Sequence, residues 1–211
     1  MIGVFFEVTP RTGEESRYLD IAAGLRPELE ASGGVLFLDR YKSLARPQTL
    51  LSHQIWADEA SLVRWRTNGT HYTAQTAGRR SVFEDYRLRI GPVIAEASEV
   101  AGVIPQTEGI AYNDPLLQPE RFVLIVRSRG KPVVPAGDGE AYESVYRPQE
   151  FAWVGAVADR PSGYEVLRRV AADDAVNAAQ LCLISRDYGL RDRREAPQYF
   201  PDVQAEQPAA Q

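Results

Sequence analysis

The chain has 211 residues, 44% hydrophobic and 25% charged, a length for one large domain or two small ones and a composition typical of folded globular proteins. A single cysteine, Cys182, excludes an internal disulfide, and with only two histidines, His53 and His71, too few soft ligands remain for a structural zinc cluster, so no metal is expected. The net charge of −5 comes without a basic block, and no run approaches the ~18–20 apolar residues of a membrane span, so nucleic acid and membrane are not expected partners and a soluble, cytoplasmic protein is.

In chain order, Val4, Phe6 and Val8 alternate with Phe5 and Glu7, the period-two pattern of a strand. Pro10 and Gly13 end it. From Glu14 to Ala31 the period becomes helical, with Tyr18, Leu19, Ala22, Leu25 and Leu29 on one stripe, until Ser32-Gly33-Gly34 stops the helix. Strands follow over Val35–Lys42 and Thr49–Trp56, joined as a hairpin through Leu44-Ala45-Arg46-Pro47. Asp58 caps a second helix that carries Trp65, restarts at Asn68-Gly69-Thr70 and runs to Gly78. A fourth strand, Ser81–Ile90, completes the order βαββαβ, the ferredoxin-like unit of an α+β fold.

The strands of this unit are apolar on both faces, so one copy alone would expose a hydrophobic sheet and a second sheet is required. The segment 93–120, punctuated by Ile104-Pro105, Asp114-Pro115 and Gln118-Pro119 and preceded by Gly91-Pro92, reads as a linker with a short helical stretch at Val93–Val100. Beyond it come strands at Phe122–Val126, Ser144–Tyr146 and Phe151–Val157 and a helix at Tyr164–Ala172. Ala57-Asp58 and Asp85-Tyr86-Arg87 in the first half find counterparts in Ala158-Asp159 and Asp187-Tyr188-Gly189, which marks a degenerate internal repeat lacking its first helix. The expected organisation is a first domain over 1–92, a linker over 93–120, a reduced second copy over 121–202 and a mobile tail over 203–211.

The run Gly34-Val35-Leu36-Phe37-Leu38-Asp39-Arg40-Tyr41, then Ile55-Trp56-Ala57-Asp58-Glu59-Ala60-Ser61-Leu62, then Trp65 with His71 six residues on, resembles the antibiotic biosynthesis monooxygenase (ABM) domains of the dimeric α/β-barrel superfamily. The resemblance implies a barrel of two sheets, usually from two subunits, with a pocket between each sheet and its helices. A homo-oligomer or an intramolecular pseudo-dimer would supply the second sheet. It further implies either cofactor-free oxygenation of phenolic compounds or haem degradation. The haem-degrading branch has an asparagine on the first strand and an iron-binding histidine ten residues after the tryptophan; here Phe6 and Glu7 occupy that strand and Gln75 the ligand position.

On the phenol-oxidising reading no cofactor is required, because the substrate supplies the electrons and dioxygen is the partner. The substrate is then an electron-rich aromatic such as a phenol, an anthrone or a hydroquinone. His71, with an unperturbed pKa near 6.5, is the candidate base, and Tyr72 a candidate proton donor. Trp65 and Phe6 are expected to bind the substrate, with Asn68 holding an oxyanion. His53 shares a strand face with Leu51 and Ile55 and points either into the barrel, which a structural role favours, or into the pocket. Arg79-Arg80 reads as a solvated helix end. The rival readings are a non-catalytic small-molecule-binding or assembly module and a haem-binding or haem-degrading protein. No dinucleotide loop, phosphate loop or nucleophile elbow is present, since Gly33-Gly34 precedes a strand.

Overall fold

Alternation in the first strand sets up the two faces on which everything else is built. In the computed structural model, which describes residues 1–98, 102–105, 119–135 and 137–197, strand β1 (Ile2–Pro10) sends Val4, Phe6 and Val8 toward the helices and Phe5 toward the opposite sheet. Glu7 follows Phe5 inward, where its carboxylate accepts a hydrogen bond from the Tyr142 hydroxyl at 2.7 Å. Helix α1 (Glu15–Ser32) packs back on the outward face through Tyr18, Ala22 and Leu29. It ends at Gly33 and Gly34, both at positive φ. Gly34 is required twice over, because a Cβ there would lie 2.3 Å from the side chain of Ser61.

Strands β2 (Val35–Ser43) and β3 (Leu50–Trp56) form the expected hairpin. Two short helices follow, α2 (Glu59–Arg66) and α3 (Gly69–Ala77), each with a side chain at its N-cap: Asp58 accepts from the Ser61 N–H and Asn68 from the His71 N–H. A π-helical turn, Gly78–Val82, leads into the long strand β4 (Phe83–Ser98). Strand β5 (Gly102–Pro105) pairs with its far end. The second half supplies β6 (Phe122–Arg129), β7 (Gly139–Ser144), β8 (Glu150–Val157), α4 (Arg160–Val170), β9 (Val176–Leu183) and β10 (Arg186–Gly189).

The first unit has the strand order β4-β1-β3-β2 and the second β9-β6-β8-β7. They join at both ends, β2 on β7 with Tyr41 opposite Ser144 and β4 on β9 with Val93 opposite Cys182. A barrel of two ferredoxin-like units therefore closes within one chain. Its interior is filled by Phe5, Tyr41, Leu51, Ile125 and Tyr142, all essentially inaccessible. The repeat is visible in local geometry too: Asp159 caps α4 at φ −155°, ψ 173° by accepting from the Ser162 N–H, as Asp58 caps α2 at φ −156°, ψ 171°. The two Asp-Tyr segments lie side by side, antiparallel, and Arg87 bonds Asp187 across them at 2.7 Å.

Several expectations change. The helical stretch read from Val93 is strand through Ser98, crossing the boundary expected at residue 92, because pairing with β9 and burial of Val93 and Ala95 outweigh a weak local period. Residues 106–118 of the expected linker, and the tail over 203–211, lie outside the described residues. The strand read at Ser144–Tyr146 lies earlier, at Gly139–Ser144, and Val176–Leu183, unassigned by its pattern, is β9. Among the described residues no helix lies between β6 and β7, as the short spacing implies. Trp153, 2% exposed, covers part of that face instead, lying on Gly139 and Gly155 so closely that a Cβ at either would come within 2.2 Å of its ring.

Candidate active site

The helix face of the first sheet is less completely filled than the barrel. A cavity of about 140 Å³ lies there between β1, β3 and β4, the helices α2 and α3, and the segment around β10. A neighbouring cavity of about 110 Å³ extends under α1. The two share a wall made by Phe6, Gln54, Trp65, His71, Gln75 and Phe83.

Trp65 reaches this wall because it ends the apolar stripe of α2, and it is 3% exposed. His71 comes back over it because α3 restarts at Asn68: the two rings stack at 4.3 Å with an interplanar angle of 14°. The Trp65 carbonyl lies 3.0 Å from His71 Nδ1. A carbonyl can only accept, so Nδ1 carries the proton and Nε2 holds the lone pair. The Gln75 amide nitrogen lies beside the ring edge, 3.2 Å from Nδ1 and 3.4 Å from Nε2, and with Nδ1 protonated it is Nε2 that can accept from it. Burial is the dominant influence on the ring and pushes its pKa down to about 4, against the opposing hydrogen bond to Trp65 and the charge of Glu28. His71 is thus a neutral imidazole at physiological pH.

Phe6 lies in the same wall, edge-on to Phe83 at 5.7 Å and to Tyr86 at 5.5 Å. The remaining expected residues fall elsewhere. Asn68 has both ends of its amide engaged, the oxygen in capping α3 and the nitrogen donating to Glu28 at 2.9 Å, so it acts in the helix start rather than on an oxyanion. Tyr72, one residue on from His71 and so about 100° around the helix, is 43% exposed and borders neither cavity. His53 is fully buried inside the barrel, on the opposite face of the sheet from His71. Its Nδ1 lies 3.2 Å from the Val4 carbonyl, it stacks on Phe5 at 5.0 Å, and burial with the nearby charge of Arg127 pushes its pKa down to about 3.

The sequence reading missed the polar residues of the cavity. Gln54 follows from alternation, being one residue from the inward His53, and it accepts from the Trp56 indole at 2.9 Å. Arg79 is 6% exposed rather than solvated, because the π-helical turn swings it inward while Arg80 stays in water. Arg66, Arg186, Tyr188 and Arg193 also line the larger cavity. Arg186 and Tyr188 belong to the second repeat signature, whose spatial destination nothing local reveals.

A closed α+β barrel of two ferredoxin-like repeats, with a helix-covered cavity on the first, is the architecture of ABM-type monooxygenases. The model of the family described as antibiotic biosynthesis monooxygenase matches residues 1–77. The chain is also 38% identical, over 221 aligned positions covering 95% of it and 99% of the relative, to a protein of Pyricularia oryzae named jasmonate monooxygenase ABM. It belongs to the antibiotic biosynthesis monooxygenase family, whose members are monooxygenase-type enzymes. Solved structures similar to it include a conserved protein of Methanosarcina mazei (17% identity, 42% of this chain and 88% of that one, TM-score 0.40). A second is a Fusobacterium nucleatum protein (10% identity, 88% of this chain and 93% of that one, TM-score 0.42).

Proposed function

We propose that the cavity beside Trp65 is the active site of a cofactor-independent monooxygenase that oxidises a small electron-rich aromatic substrate, an anthrone, phenol or hydroquinone, with His71 as the base. The observation that carries the reading is the neutral His71 ring, stacked on Trp65 in the cavity wall and oriented by the Trp65 carbonyl, with Nε2 as the atom that accepts a proton in exchange for its contact with the Gln75 amide. For an anthrone, Nε2 takes a proton from the ring CH₂ and leaves a delocalised carbanion. The carbanion passes one electron to dioxygen, and recombination of the radical pair forms a C–O bond as a peroxide. His71 returns its proton to the peroxide; loss of the second C–H proton then breaks the O–O bond. Overall CH₂ and O₂ become C=O and H₂O, with all four electrons that reduce O₂ drawn from the substrate carbon.

Burial makes His71 a weak base, so this chemistry relies on stabilising the carbanion oxygen. Gln75 is the nearest amide to do so, in place of Asn68 and Tyr72. The test is oxygen uptake with an anthrone such as dithranol and no added cofactor. His71→Ala is expected to lower kcat by ~10²–10⁴-fold with little change in KM. Uptake indifferent to that substitution between about pH 6 and pH 9 would overturn the base assignment.

A second reading is favoured by the Pyricularia relative, whose name gives jasmonate as its substrate. Jasmonate is a cyclopentanone carboxylic acid without an electron-rich ring. Inserting one atom of O₂ into a C–H bond of such a compound requires two further electrons and two protons to form the second product, water. Turnover of jasmonate that depends on an added reductant, with none of an anthrone, would favour this reading over the cofactor-free one.

A further inference from the structure

A cavity of about 150 Å³ holds one benzene-sized ligand, and the larger cavity beside Trp65 measures about 140 Å³. A ligand of more than one ring therefore needs further room. The second cavity, about 110 Å³ beneath α1, supplies it directly across the wall that carries Phe6, His71 and Gln75. That wall is lightly held. Helix α3, which contributes His71 and Gln75, has no buried residue along its nine positions, and its start is tied to α1 by the bond from Asn68 to Glu28. An element with so little burial moves at small cost, so a ligand that displaces Gln75 joins the two spaces.

The polar groups of the second cavity are donors. Tyr18 on α1 accepts from the Arg40 guanidinium, which leaves its own hydroxyl proton to give. Arg40 Nε has no hydrogen-bond partner, and Asp39, the carboxylate beside it in sequence, faces the barrel and accepts from Arg147 at 2.6 Å. Ser52 lies opposite Arg40 across the β2–β3 pair; it accepts from Gln54 at 3.3 Å and likewise retains a proton to donate. The acceptors on this side are already used: the Gln54 oxygen takes the Trp56 indole N–H, and no aspartate or glutamate lines the cavity. All three donor residues are buried, and a buried donor left without an acceptor is costly. A ligand oxygen that only accepts is the complement.

We propose that the cavity beneath α1 is a subsite for a carbonyl oxygen, held by Tyr18, Arg40 and Ser52, and that the ligand spans both cavities with the rest of its apolar body beside Trp65. The proposal rests on the Trp65 cavity being the substrate site and adds to it the group that selects the substrate. His71 stands in the wall between the cavities, so the atom presented to Nε2 belongs to the middle of the ligand rather than its end. When that atom loses a proton to Nε2, the C–H electron pair passes to a conjugated carbonyl oxygen. The three donors then meet the charge where it develops, alongside Gln75.

The test compares a two-ring ketone, 1-tetralone, with its parent hydrocarbon tetralin and with single-ring phenol, by ligand-observed NMR titration at neutral pH. The ketone is expected to bind about ten-fold or more tighter than the hydrocarbon. Tyr18→Phe, which keeps the ring, and Ser52→Ala should each cut that preference by about three-fold or more, with tetralin affinity changed by less than about two-fold. Ala74→Leu fills the second cavity and does not border the first, so it should weaken 1-tetralone by about ten-fold or more and leave phenol within about two-fold. Each variant is checked for an intact thermal transition. Equal affinity for ketone and hydrocarbon, a preference that survives both donor deletions, equal loss of phenol and 1-tetralone in Ala74→Leu, or binding of neither two-ring compound overturns the subsite. Oxygen uptake with dithranol is measured alongside. A ketone preference lost in the donor variants, without uptake, leaves the subsite standing and removes the oxygenase reading; His71-dependent uptake with no ketone preference does the reverse.

Discussion

Acid should weaken this fold well before its carboxylates titrate, and the two histidines give the size of the effect. His53 inside the barrel and His71 against Trp65 have pKa values pushed down to about 3 and about 4 by burial, whereas in the unfolded chain each returns to near 6.5. Below about pH 6.5 the unfolded chain therefore binds more protons than the native one, and stability falls as pH falls, until the native groups titrate in turn. At ~1.36 kcal/mol per pH unit, moving from about pH 8 to about pH 5 costs roughly 2 kcal/mol for each histidine, or about 4 kcal/mol in all. Urea unfolding at the two pH values measures this in wild type and in His53→Gln, where carboxylate contributions common to both cancel. The variant should lose only about 2 kcal/mol over the same interval. If wild type and His53→Gln lose stability equally, His53 is not held neutral by the barrel, and the assignment of its environment is wrong.

Three further outcomes follow from the packing. Gly155→Ala forces a Cβ to within 2.1 Å of the Trp153 ring and should destabilise by roughly 1–3 kcal/mol in thermal or urea unfolding, with cavity ligands still bound. Trp65→Ala removes a buried ring that also carries His71, so a loss of roughly 3–5 kcal/mol in unfolding free energy should accompany lost substrate affinity. Tyr72→Phe should leave turnover of an accepted substrate unchanged within about two-fold, whereas His71→Ala should not, since only His71 borders the cavity.

Much of the first unit was legible in the chain because its signals are local. The period-two pattern of β1 assigns Phe6 to the helix face and Phe5 to the barrel, and the helical stripe of α2 carries Trp65 to the cavity. Asp58 and Asp159, each three residues before the N–H it caps, mark both the helix starts and the internal repeat. The same local logic failed where a residue had two local uses: Asn68 carries both turn chemistry and a polar group near His71, and the helix start claims it.

What the tertiary structure alone decided is which distant segments meet. Closing the barrel draws Val93–Ser98 into β4 and Val176–Leu183 into β9, although neither segment announces a strand by its own period. The same closure lays β10 against β4 and thereby brings Arg186 and Arg193 across to Arg66, Arg79 and Tyr86. The physical reason is that periodicity reports the environment of a residue relative to its neighbours in sequence, whereas the charge of a cavity is the sum over groups whose separation in sequence exceeds a hundred positions.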